Sequence, residues 1–199
     1  MSQDDRPWLI AIAASAGGIE ALQTVVAGLP AATPAAVVIV QHRNPAMASL
    51  LEHILARRAR MPVKPAKHGE LVEPGAVYVS RLDLHLTIAP EGRFEYVDGA
   101  KVRGLHSSAN PLLETAAAAF ADRTIAVVLT GSGLDATDGV QSVKSRGGTV
   151  IVQDPSCAAY ASMPASAIKT GMVDHILRLD AISPALVAMT QGQMIAPHP

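Results

Sequence analysis

The sequence is short of aromatic residues, of cysteine and of net charge, and each shortage narrows what the chain can be. Its 199 residues include one Trp, three Tyr and two Phe, 3% aromatic against 49% hydrophobic, so any core must rest on Ala, Val, Ile and Leu. Such side chains suit buried parallel strands and helices with small contact faces. The single cysteine, Cys157, excludes an internal disulfide and fits a reducing compartment, where it is expected as a small buried residue rather than a reactive thiol. A formal net charge of −1 lacks the basic surplus of nucleic-acid binders, and no nucleic-acid partner is expected. No apolar run approaches the roughly 18 residues that span a bilayer. Nor does a charged segment with an apolar core follow Met1, so neither membrane insertion nor export is expected and the expected location is cytoplasmic. The seven histidines are scattered, without His-Glu-x-x-His or paired-cysteine spacing, so no metal site is expected.

What is present is concentrated at the ends of apolar runs. The first, Ile10-Ala11-Ile12-Ala13-Ala14, stops at Ser15 and passes into Ala16-Gly17-Gly18-Ile19-Glu20, a sharp strand-to-helix turn. A side chain there stands clear of the sheet, and the free N–H groups of the first helical turn point at whatever it attacks. Ser15 is thus a candidate nucleophile beside an oxyanion region at Ala16 and Gly17. Small residues and two glycines also suit a tight turn in which serine merely caps the helix. A second run, Ala36-Val37-Val38-Ile39-Val40, ends in Gln41-His42. A third, Thr124 to Thr130, exits into Gly131-Ser132-Gly133-Leu134-Asp135-Ala136-Thr137-Asp138, which offers two carboxylates in a glycine-bearing loop. Serine, histidine and aspartate at the carboxyl ends of strands are a nucleophile, its general base and the group that orients the base.

Along the chain, strand-like and helical runs alternate. Helices are expected over 19–29 and 47–60, and another from Asn110, with Asn110 as N-cap and Pro111 at the first helical position, to about Ala121. Further helices are expected from Asp135 or Asp138 to Arg146, from Pro164 to Gly171, and after Ser183-Pro184. Strands are expected at 76–80, 84–89, 93–97, 149–152 and 175–177, with a hairpin across Pro90-Glu91-Gly92. The fold class is therefore α/β: a doubly wound, mostly parallel sheet with helices on both faces and an antiparallel excursion between 76 and 97. One domain is expected over 8–189, flanked by a flexible segment at 1–7 and a disordered tail at 190–199.

The motifs Ala14-Ser15-Ala16-Gly17-Gly18, Val40-Gln41-His42, Leu129-Thr130-Gly131-Ser132-Gly133-Leu134-Asp135 and Gln153-Asp154-Pro155, followed by Met163-Pro164, together resemble the catalytic domain of the CheB protein-glutamate methylesterases. The resemblance runs from about Trp8 to about Met189. It implies Ser15 as nucleophile, His42 as base and Asp135, rather than Asp138, as the orienting acid. Ala16, Gly17, Gly131, Ser132 and Gly133 then form the oxyanion region. It also implies hydrolysis of glutamyl methyl esters on helices of methyl-accepting chemotaxis receptors, with methanol released and neither metal nor organic cofactor required. Many members begin with a receiver domain. This length leaves no room for one, so a standalone form is expected, with a separate receiver protein as a candidate partner.

The chain departs from the family pattern at Ser132, where methionine is usual, at Ala136, where glycine is usual, and at His106-Ser107-Ser108, where Arg-Pro-Ser is common. Substrate contacts and oxyanion geometry are the properties these departures touch, and a noncatalytic or altered-specificity binding module on the same fold is the alternative. Two other enzyme classes fit less well. A dinucleotide site wants Gly-x-Gly-x-x-Gly and an acid after the second strand; an α/β-hydrolase places its acid before its histidine in the chain. The basic run Arg57, Arg58 and Arg60 is expected as a solvated face near a helix end rather than a docking patch.

Overall fold

The computed structural model describes residues 6–42, 50–81, 84–98, 107–193 and 195. Its elements run β1 (Trp8–Ala14), α1 (Gly18–Gly28), β2 (Ala35–Gln41), α2 (Leu51–Ala56), β3 (Val63–Pro65), β4 (Val77–Val79), β5 (His85–Ile88), β6 (Phe94–Val97), α3 (Ala109–Phe120), β7 (Thr124–Val128), α4 (Thr137–Ser145), β8 (Thr149–Gln153), α5 (Ser162–Ile168), β9 (His175–Leu177) and α6 (Leu179–Thr190). Seven strands form one sheet in the order β3-β4-β2-β1-β7-β8-β9, with every pairing parallel. β5 and β6 form a separate antiparallel pair. The chain winds outward from β1 through β2, then returns to β1's other side at β7. Strand order therefore reverses between β1 and β7, where open α/β sheets bind their ligands.

β1 is buried on both faces, as its continuous apolar run requires. Its alternation sends side chains to two layers. Leu9, Ala11 and Ala13 join the layer containing α3, α4 and α5, while Ile10, Ile12 and Ala14 join the layer of α1, α2 and α6. The methyls of Ala11 and Ala13 thus share a layer with Ala116 and Ala117 of α3, which lets helix and sheet approach closely. Tyr78 and Phe94, two of the few aromatics, are fully buried and meet at a tilt of 57° with centroids 4.8 Å apart, joining the hairpin to the sheet. At the opposite end of the strands from the site, Trp8, Thr149, Met189, Gly192 and Ile195 line one shallow cleft.

Several local expectations shift. β4 is parallel and belongs to the main sheet, so the antiparallel excursion is confined to β5 and β6. β3, an edge strand of three residues containing Pro65, carries too little pattern to be seen in the sequence. α3 is capped by Ser108, whose side chain accepts from the Asn110 N–H, rather than by Asn110, and Pro111 falls in its third position. Asn110 is occupied elsewhere: its Oδ1 accepts from the Gly139 N–H at 2.9 Å. Ser183 and Pro184 lie inside α6 rather than before it, because the Ser183 hydroxyl is spent on the Val25 carbonyl of α1, 2.9 Å away. Thr190 is the last residue of α6, with its hydroxyl on the Leu186 carbonyl, and Gln191 to Gln193 form a hydrogen-bonded turn. Arg6 is likewise anchored, donating to the Ala119 carbonyl. α2 covers only 51–56 of the expected 47–60, and residues 47–49 lie outside the described ones. Among the described residues no helix is long and apolar enough to cross a membrane.

Candidate active site

Ser15 and His42 follow directly from strands in register. β1 pairs with β2 so that Ala14 faces Gln41, and the next residues on the two strands are Ser15 and His42. The ladder continues into both: the His42 N–H donates to the Ala14 carbonyl at 3.0 Å, and the Ser15 N–H donates across the other side to the Thr130 carbonyl at 3.0 Å. The buried Gln41 side chain then bridges the pair, its Nε2 donating to the Ser15 carbonyl at 2.7 Å and to the His42 carbonyl at 3.1 Å. Since both partners are acceptors, only the amide nitrogen fits there. Candidate nucleophile and base are thus held by one side chain. The Ser15 hydroxyl makes no hydrogen bond among the described residues, a common condition of catalytic groups without substrate.

Asp135 reaches His42 from the loop after β7, with Oδ2 2.8 Å from His42 Nε2. This contact leaves Nδ1 as the ring nitrogen turned away from Asp135. The carboxylate is seated on the N-terminus of α3: Oδ1 accepts from the Ser108 hydroxyl at 2.5 Å and Oδ2 from the Ala109 N–H at 2.8 Å. Burial works to raise its pKa, but the contacts with His42, Ser108 and Ala109 outweigh burial and hold it below the ordinary 3.8. Its surroundings therefore favour the carboxylate form. Asp138 is engaged elsewhere, with Asn110 Nδ2 3.5 Å from its Oδ2.

The third wall is the segment Thr130 to Gly133. Thr130 is tied on three sides: its N–H donates to Gln153 Oε1 at 2.8 Å, its hydroxyl lies 3.1 Å from the Ala16 carbonyl, and it accepts from the Tyr160 N–H at 2.8 Å. A Cβ on Gly131 would stand 2.8 Å from Ser15 Cβ and 2.8 Å from Met163 Cε, so only glycine lets this loop lie against the nucleophile. The expected oxyanion donors divide into two sets. The Gly131 N–H is spent on the Tyr160 carbonyl at 3.0 Å, and the Gly133 N–H on the Ser162 hydroxyl at 3.0 Å. Those of Ala16, Gly17 and Ser132 have no partner among the described residues. Gly131 and Gly133 therefore shape the loop while the other three can donate.

Ala136, the departure from the usual glycine, has φ 69° and caps α4 in the left-handed conformation. Sequence reasoning did not find Ser108's grip on Asp135, the Gln41 bridge or the Gln153 tie, because each joins residues more than twenty positions apart. His106 lies outside the described residues. Arg57, Arg58 and Arg60 are exposed beyond α2, as a solvated face would be. The apolar cleft of about 380 Å³ near Arg6, Val72, Pro90 and Phe120 lies at the opposite end of α3 from Asp135 and includes none of these site residues.

A parallel α/β sheet that sets a serine and a histidine side by side at adjacent strand ends, with a carboxylate against the histidine, has the layout of a serine hydrolase. The chain belongs to the CheB methylesterase family, whose model matches residues 10–186. It is 37% identical over 179 residues to a protein-glutamate methylesterase/protein-glutamine glutaminase of Anaeromyxobacter dehalogenans, covering 89% of this chain and 52% of that protein. A Leptospira interrogans relative is 35% identical over 185 residues, covering 93% of this chain and 96% of its own length. The Thermotoga maritima CheB methylesterase catalytic domain superposes with a TM-score of 0.89 at 34% identity, over 92% of this chain and 99% of that one. The chain thus spans about half the length of the Anaeromyxobacter relative and nearly all of the Leptospira one.

Proposed function

We propose that the protein hydrolyses glutamyl methyl esters on helices of chemoreceptor-like proteins, with Ser15 as nucleophile, His42 as base and Asp135 as the orienting acid. The observation that carries this reading is the convergence at one sheet end. Ser15 and His42 are consecutive in register, Asp135 is 2.8 Å from His42, and donors stand free at Ala16, Gly17 and Ser132. His42 removes the Ser15 proton through Nδ1, and the alkoxide adds to the ester carbonyl. The oxyanion is held by the free N–H groups, each worth roughly 3 kcal/mol in a dry, aligned site. Return of the proton to the methoxy oxygen releases methanol. Water, deprotonated by His42, then cleaves the acyl-serine to leave glutamate. Asp135 keeps the imidazole oriented throughout and stabilises its charged form.

The companion proposal is that the domain turns over without a phosphodonor and that encounter with the substrate helix, or a receiver protein acting in trans, sets its rate. The test is methanol release from methylated receptor by purified protein, with and without a small phosphodonor, beside Ser15→Ala. We expect release by the parent alone, and a loss of several orders of magnitude in the variant with the fold unchanged. A folded parent that releases no methanol but binds receptor would make this a binding module. Methanol release by Ser15→Ala at the parental rate would remove Ser15 from the chemistry.

A further inference from the structure

Asp135 does not hold itself in place. Both of its oxygens are anchored to the first turn of α3, through the Ser108 hydroxyl and the Ala109 N–H, so the position of His42's partner is the position of that helix end. The Ser108 hydroxyl also accepts from the Asn110 N–H at 3.2 Å, which leaves the main-chain N–H of Ser108 to be satisfied from outside the helix. Ser108 is completely buried, so water is not at hand. The acceptor is a side chain: Nδ1 of His85, itself 4% exposed, stands 3.2 Å from that N–H.

His85 opens β5, the first strand of the hairpin that stands apart from the parallel sheet. The same strand makes a second bond to the helix, from the Ile88 N–H to the Thr115 hydroxyl at 3.0 Å. The hairpin thus grips α3 at two points. The one at His85 is two hydrogen bonds removed from the carboxylate. An Nδ1 that accepts a hydrogen bond carries no proton, so the ring acts here as a neutral acceptor.

We infer that His85 is a positioning residue for the acyl-transfer site: by accepting from Ser108 it fixes the N-terminus of α3, and through Ser108 and Ala109 it fixes Asp135 against His42. The inference rests on the proposed Ser15-His42-Asp135 mechanism. A leucine of similar bulk at position 85 keeps the packing and removes the acceptor. Asparagine can place its carbonyl oxygen near the position of Nδ1.

The experiment compares His85→Leu and His85→Asn with the parent in two measurements. In methanol release, His85→Leu should lower kcat about tenfold to a hundredfold with KM little changed, as loose positioning of a reacting group does. His85→Asn should recover most of the loss. The imidazole ¹⁵N shifts of His42, which report its 2.8 Å contact with Asp135 without any turnover, should move in His85→Leu toward those of Asp135→Asn and stay parental in His85→Asn. Unchanged His42 shifts in a folded His85→Leu would overturn the inference, as would equal kcat losses in both variants tracking equal losses of melting temperature. If the parent proves inactive, the methylesterase reading fails on its own, and the ¹⁵N comparison still decides whether His85 positions Asp135.

Discussion

The turn after β1 and the turn after β7 arrive at the same backbone conformation with different residues. Gly17 caps α1 at φ 71° and ψ 1°; Ala136 caps α4 at φ 69° and ψ −9°. Each immediately follows part of the candidate machinery, Ser15-Ala16 in one case and Asp135 in the other. Left-handed backbone costs an L-residue roughly 1–2 kcal/mol, a cost glycine escapes. At the first turn there is no alternative to glycine, since a Cβ on Gly17 would also stand 2.9 Å from Ala159 Cβ and 3.3 Å from the Tyr160 ring. At the second turn the methyl of Ala136 is wholly buried in the layer containing α3, where it gains contacts that offset part of the strain. The nucleophile turn is therefore set by what must not be there, and the acid turn by what has been fitted in.

The sharpest way to break this comparison is at the acid. Asp135→Asn should slow ester hydrolysis by a factor on the order of 10⁴, as loss of an orienting carboxylate does. Asp138→Asn, whose carboxylate meets Asn110 rather than His42, should change it little. Steady-state rates with the effects reversed would move the acid role one helical turn along. Next in size, Gly17→Ala should cost more than about 2 kcal/mol in urea unfolding, from strain and crowding together. A near-neutral result would mean that Tyr160 and Ala159 move aside at no cost.

The depressed pKa of Asp135 predicts a pH dependence with a definite sign. Because the folded value lies below the ordinary 3.8, the stabilisation is fully present above that value and is lost as pH falls through the folded pKa. Between pH 5 and pH 2 the urea midpoint of the parent should therefore fall more steeply than that of Asp135→Asn; parallel curves would show that the carboxylate is not held this way. The smallest effect is expected from Ala136→Gly. Relief of left-handed strain opposes the loss of a buried methyl, about 0.8 kcal/mol, and the added freedom of the unfolded chain, about 0.4–1 kcal/mol. A change within about 1 kcal/mol is the expected outcome, and a large loss would mean that the methyl matters more than the strain.

Much of this was legible because it is local. Ile10 to Ala14 ending at Ser15, and Ala36 to Val40 ending at Gln41-His42, carry both strand and turn in a few consecutive residues, and parallel pairing then brings Ser15 to His42. What stayed hidden depends on partners far along the chain. Asn110 and Ser108 are equally good caps by composition, and only the tertiary demand of Gly139 on Asn110 decides between them. Ser183-Pro184 reads as a helix start until α1 claims the serine. The anchorage of Asp135 on α3 joins segments 26 and 27 positions apart, and His85 adds a third segment; no periodicity reports such a meeting.

The cleft shared by Trp8 and Ile195 has a bearing on how the domain could be tethered. β1 runs from Trp8 at one end of the strands to Ala14 beside the candidate nucleophile, about 20 Å for a strand of seven residues. With α6 returning to that same end, segments attached at either end of the folded unit would set out from one place, on the far side from Ser15. A fused module joined there would need a linker spanning the height of the sheet before it could shade or feed the site, so leash length would be the variable that tunes such a fusion.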